Sequence, residues 1–140
     1  MRIIKTLLAV FILIAVASCK KSETTVSLSG KWHITSALGN DDRHWTGSFT
    51  LKQEGGANKY TGLFLWDATD GQSTGTDSVT GEYNASTKVL IMQSVVISGD
   101  IEPVTYTMNV TDNGTKMHGT WTGSSDGSVA DPGIWTAEKE

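Results

Sequence analysis

Cysteine occurs once in 140 residues and proline twice. A single thiol excludes a disulfide framework and a cysteine-built zinc cluster. Positive charge is scarce as well, with 11 bases against 15 acids and a net charge of -4. That balance excludes the basic surface through which nucleic acid is held, and no nucleic-acid partner is expected. Long apolar runs are missing. The longest, Leu7 to Ala17, spans eleven residues, whereas a membrane-crossing helix needs about 20. No phosphate loop, H-E-x-x-H pair or aspartate-rich calcium loop occurs, so neither catalysis nor a cofactor is expected. What is present is a chain 38% apolar and 19% charged, which excludes disorder and fits one domain.

The apolar run follows Arg2 and Lys5 and ends at Ser18 and Cys19. A basic start, a short apolar centre and small residues before a cut site are the order of a secretory signal. Within it, Val16-Ala17-Ser18-Cys19 resembles the lipobox of bacterial lipoproteins. The resemblance implies cleavage before Cys19, lipid attachment there and, with Lys20 where an inner-membrane retention aspartate often stands, an outer-membrane destination. Residues 1–18 are then the signal peptide, 19–27 a lipidated cysteine and polar tether, and 28–140 the folded domain. Losing 1–18 removes two bases and no acids, leaving the mature chain at -6.

After residue 27, apolar residues recur with period two, the spacing of half-buried strands. Leu28, Gly30, Trp32 and Ile34 share one face, as do Trp45, Gly47, Phe49 and Leu51. Tyr60, Gly62, Phe64 and Trp66 form the next set, then Val79, Gly81 and Tyr83. A mostly apolar run from Val89 to Ile97 precedes the clean alternation of Val104, Tyr106, Met108 and Val110. Met117, Gly119, Trp121 and a terminal Ile134 to Ala137 close the series. Turn residues separate these runs, Asn113-Gly114 being the strongest hairpin signal. Eight strands joined by short connections pair sequentially and antiparallel.

Of the 15 glycines, Gly30, Gly47, Gly62, Gly81 and Gly119 fall on the inner faces, each two residues from an aromatic. Inward glycines relieve crowding where strands coil tightly, which favours a barrel over a sandwich. The predicted fold is therefore all-β, an eight-stranded antiparallel up-and-down β-barrel after an N-terminal signal peptide.

Gly30-Lys31-Trp32 resembles the G-x-W signature of the lipocalins. Leu28 to Trp32 and Tyr60-Thr61-Gly62 are similar to segments of the avidins. Both resemblances imply a small lipocalin/avidin-like (calycin-type) barrel around a small ligand. Ile34 and Trp66 stand where avidins place polar residues toward biotin, so biotin binding is not implied. Gly55-Gly56-Ala57-Asn58-Lys59-Tyr60, upstream of Trp66, is similar to the inhibitory loop of periplasmic lysozyme-inhibitor lipoproteins. That resemblance implies a protein partner held by an exposed loop bearing Lys59 and Tyr60. Asp77-Ser78-Val79 resembles a short bacterial glycosylation motif.

The aromatics are the candidates for function. Trp32, Trp45, Phe64, Trp66, Tyr83, Tyr106 and Trp121 are expected to point inward. They either fill the barrel or, with Gln93, line a mouth that takes a small apolar or sugar-like ligand. His33 and His118 are expected outward and His44 at a strand start, so no metal site is expected. Asp67, Asp70 and Asp77 read as turn aspartates around one loop, and Asp126 and Asp131 around another. The expected function is non-catalytic, that of a lipid-anchored envelope protein binding a small ligand or protein partner, with a lysozyme inhibitor or a purely structural lipoprotein as alternatives.

Overall fold

Alternation of buried and exposed residues runs through every strand, and it closes the chain on itself. In a computed structural model that describes residues 26–56, 58–123 and 132–140, the strands are β1 (Gly30–Gly39), β2 (Trp45–Gln53), β3 (Lys59–Ala68), β4 (Thr74–Asn84), β5 (Val89–Gly99), β6 (Val104–Thr111), β7 (Lys116–Gly123) and β8 (Gly133–Lys139). Each pairs antiparallel with the next, and β1 pairs with β8, giving a closed barrel. The predicted fold class is thus the observed one. The leader and Cys19 lie outside the described residues.

The inner-face glycines let the wall close. A Cβ built on Gly47, Gly62, Gly81 or Gly119 meets a backbone carbonyl of an adjacent strand, that of Leu65, Thr50, Ile91 or Thr107. Gly30 differs: its φ is +134° and its neighbour is the flexible Lys139 side chain. Several of these gaps face bulk across the sheet, since Gly47 opposes Trp66, Gly81 opposes Tyr60 and Gly119 opposes Trp135.

That bulk forms an aromatic column inside the barrel. Trp32 stacks on Phe49 (centroids 5.6 Å apart), Phe49 on Phe64 (4.3 Å), and Phe64 on Tyr106 (4.6 Å). Trp135 sets its edge against Phe49, Phe64, Trp66 and Tyr106 at 5.7–6.3 Å. Offset and edge-on pairs are the favoured aromatic geometries, adding about 0.5–1.5 kcal/mol each beyond area burial.

The two ends of the barrel differ. At one, residues 26–29 cross beneath the column. Leu28 is fully buried, Trp32 Nε1 donates to its carbonyl (3.0 Å), and its own N–H donates to Tyr60 Oη (3.4 Å). Lys139 Nζ donates to the Ser27 carbonyl (3.0 Å), and Val26 packs against the core beside Gly114. Tyr60 is therefore not on an exposed loop. Its alternation with Phe64 carries it inside, 1% exposed, and leaves Lys59 outside, 4.0 Å from Glu82.

At the other end β5 and β6 separate. Their pairing runs only from Val89↔Asn109 to Gln93↔Thr105. Beyond it Ser94 Oγ accepts from Val104 N (2.8 Å), and β5 carries an extra residue, Ile97, against β4. This divergence opens the mouth.

Crowding at the inner glycines is testable by urea denaturation. Gly81→Ala should destabilise by at least ~1–3 kcal/mol, the cost of overpacking, with little change in slope. Gly56→Ala, where an added Cβ meets nothing within 4 Å, should be neutral or stabilising by up to ~1 kcal/mol.

Candidate functional site

A cavity of about 220 Å³ occupies the open end. Its inner walls are Trp66 and Tyr106, where the column stops, together with Trp45, Trp121 and Val104. The loops between strands supply the rim: Asp41 and Arg43 from β1–β2, Ser73 from β3–β4, and Asp100, Ile101 and Glu102 from β5–β6. Among these groups stands Asp77.

Asp77 is not a turn residue. β4 begins at Thr74, and the period-two face Gly75, Asp77, Val79 brings the carboxylate inside, where the residue is 0% exposed. The same placement sets the Asp77-Ser78-Val79 triplet within a strand paired on both sides. A hydrogen-bonded chain fixes the carboxylate's orientation. Trp66 Nε1 donates to Tyr106 Oη (2.8 Å), and Tyr106 Oη lies 2.6 Å from Asp77 Oδ2. An indole N–H only donates, so the phenol accepts from it and gives its own proton to Asp77. Asp77 Oδ1 has no hydrogen-bond partner within the described protein, nor does the buried Nε1 of Trp45.

Burial pushes the Asp77 carboxyl from the usual 3.8 up to about 6, against the opposing hydrogen bond from Tyr106. Burial first, and then the adjacent carboxylate, hold the Tyr106 phenol well above its ordinary range. The rim behaves differently. The Asp100 carboxyl is held low, chiefly by the backbone N–H of Thr74. Arg43 is occupied at the rim: its Nε lies 3.4 Å from Asp70 and 3.7 Å from Asp41, an Nη donates to Ser73, and its guanidinium sits 5.8 Å from the Trp45 ring centre.

The predicted site residues divide accordingly. Trp66, Tyr106 and Trp121 line the cavity, as does Trp45. Trp32 and Phe64 are buried in the column, and Tyr83 is buried in β4 away from the cavity lining. Gln93 is a correction. Met92 and Ser94 take the inner positions of β5, and Gln93 lies on the outer face, accepting from Thr105 Oγ1 (3.0 Å). Lys59 is exposed in β3 near the closed end. His33, His44 and His118 are all exposed. Asp126 and Asp131 lie outside the described residues. Sequence reasoning overlooked two inner residues, Asp77 and Trp135. The signal for Asp77 was its place two residues before Val79, and for Trp135 its place two before Ala137.

Fold and site together define a small closed β-barrel with one plugged end and one cavity-bearing end. No protein-family model matches the chain, and no curated protein matches it significantly. Solved structures do share its shape. A de novo designed fluorescence-activating β-barrel superposes with a TM-score of 0.60 at 13% identity over 80% of this chain and 93% of that one. The redesigned barrel mFAP1, solved bound to DFHBI, gives 0.63 at 14% identity over 80% and 94%. At such identities the likeness is one of fold.

Asp77 makes stability depend on pH. Its carboxyl binds a proton more tightly folded than unfolded, so the native state holds more protons between about pH 4 and 6. Stability is therefore lost as pH rises through that window, by up to ~3 kcal/mol for a rise of this size. Urea midpoints at about pH 4.5 and 7.5 should show the loss in wild type, and Asp77→Asn should remove that component.

Proposed function

We propose that this chain is a lipid-anchored, non-catalytic binding protein of the cell envelope that takes a small ligand into the mouth of its barrel. The observation carrying the reading is the cavity where the aromatic column stops, walled by Trp66, Tyr106 and Trp121 and holding polar atoms without internal partners. A purely structural barrel gains nothing from that arrangement, because an unpaired buried polar atom costs about 1–3 kcal/mol. At about 220 Å³ the space is below the ~300–1,000 Å³ of drug-sized pockets. The ligand is therefore compact: one ring or a short chain, with an apolar or sugar-like face for the tryptophans. The similar barrel mFAP1 bound to DFHBI supports the architecture as a small-molecule holder.

The anchor fits the asymmetry of the barrel. The chain arrives through Val26 and Leu28 at the plugged end. Val26 follows Cys19 by seven positions, a reach of at most ~25 Å. A lipid on Cys19 then holds the plugged end toward the membrane and leaves the mouth to face away. Several acyl chains would make that attachment stable.

Cys19→Ala should move the protein from the membrane to the soluble fraction; retention in the membrane would remove the anchor. For the ligand, a fragment collection of single-ring compounds observed by NMR should yield hits that bind wild type. Ile101→Trp, which fills the mouth, should weaken them by at least ~tenfold, about 1.4 kcal/mol. Hits indifferent to Ile101→Trp, or none at all, would overturn the reading.

A further inference from the structure

Asp77 and its surroundings say which chemistry the cavity accepts. Resting on the cavity as a ligand site, we propose that it selects a small organic cation, a protonated amine that donates an N–H to Asp77 Oδ1 while its body lies against Trp66 and Trp121. Three observations converge on this. First, Asp77 is 0% exposed, it lines the cavity, and its Oδ1 has no partner, whereas Oδ2 already receives the Tyr106 proton. An unsatisfied carboxylate oxygen calls for a donor, and a charged donor forms the stronger bond.

Second, the cavity is electronegative. Among the described residues, Asp41, Asp77, Asp100 and Glu102 line it against one base, Arg43. Arg43 is held at the rim by Asp41 and Asp70, and Asp77's contacts are to Tyr106, not to that guanidinium. An anion entering would meet the Asp77 charge without a compensating base.

Third, the walls are aromatic. Tryptophan faces attract cations and are worth more when desolvated. A bare metal ion fits less well: no group of three or more histidine, cysteine, aspartate or glutamate side chains placed to hold one occurs among the described residues. Tyr106, the neighbour bonded to Asp77, is fixed as a donor toward it. An organic ammonium brings its own donors and its own apolar surface, and needs only what the cavity already offers.

The test is a titration of tryptophan fluorescence in the full chain, held in detergent at about pH 7.5, with three ring compounds that differ in charge: benzylammonium, benzyl alcohol and phenylacetate. Benzylammonium should bind about tenfold or more tighter than benzyl alcohol, with phenylacetate weakest. Asp77→Asn, or Asp77→Ser where the first variant fails to fold, should abolish the preference, benzylammonium losing about tenfold or more and benzyl alcohol less. Benzyl alcohol or phenylacetate binding as well as benzylammonium to wild type would overturn the cation while leaving a ligand cavity in place. A preference unchanged in the Asp77 variants would overturn the role given to that carboxylate. Silence from all three compounds up to ~10 mM would overturn both the cation and the cavity as a ligand site.

Discussion

The stack of rings from Trp32 through Phe49 and Phe64 to Tyr106 is the interaction on which the rest of this barrel is arranged. Eight strands enclose just enough room for side chains, so a continuous column leaves space only beyond its ends. The wall must approach the rings closely, and Gly47, Gly62, Gly81 and Gly119 allow it because their missing Cβ atoms would fall on neighbouring carbonyls. Trp135 then locks the column from the side, edge-on to Phe49, Phe64 and Tyr106 and to the adjoining Trp66. With the lower end covered by Leu28, the remaining interior is displaced to the end where β5 and β6 diverge. The cavity is thus a consequence of where the rings run out.

Much of this was legible because each strand buries one face, and a one-residue error in phase would turn its whole apolar set outward. Trp45, Gly47, Phe49 and Leu51 show the period without ambiguity, and all lie toward the interior. The phase is hidden where both faces are apolar. Ile91, Val95 and Ile97 are exposed large hydrophobics of β5, so the run from Val89 to Ile97 gives no contrast, and Gln93 falls on the face opposite to the expected one. It is also hidden where the inner residue is polar. Thr74 to Asp77 contains nothing more apolar than Gly75, resembles a turn by composition, and yet continues β4 inward. Tyr60 carries two competing signals, a loop to one side and an inner-face period to the other. Core burial prevailed, since an aromatic ring inside the barrel is favoured over one in water.

The polar groups inside the barrel follow from direction as much as from proximity. Trp66 can only donate, so Tyr106 must accept on one side and donate on the other, and its proton is thereby committed to Asp77 Oδ2. Tyrosine at this position therefore does more than fill volume. It ends the aromatic column with a polar atom and orients the first polar group beyond it. Phenylalanine would preserve the stack with Phe64 while leaving Trp66 Nε1 without an acceptor and the Asp77 carboxylate without its donor.

Asp77 is the costly element of this arrangement. Burial raises its carboxyl to about 6, so at neutral pH the folded chain carries an ionised group in a setting that disfavours it. Apolar replacements of similar volume at buried ionic positions are often neutral or stabilising, and stability alone would not favour an acid here. Departures from core patterning tend to mark functional sites, and this one stands where the column ends and the mouth begins. The energetic deficit also defines its remedy. A positive charge brought next to Asp77 restores the interaction lost with water and does so most strongly where water is already excluded. The carboxylate that burial penalises is thereby the group with most to gain from the proposed cationic ligand, whose binding would couple the mouth to the stability of the whole chain.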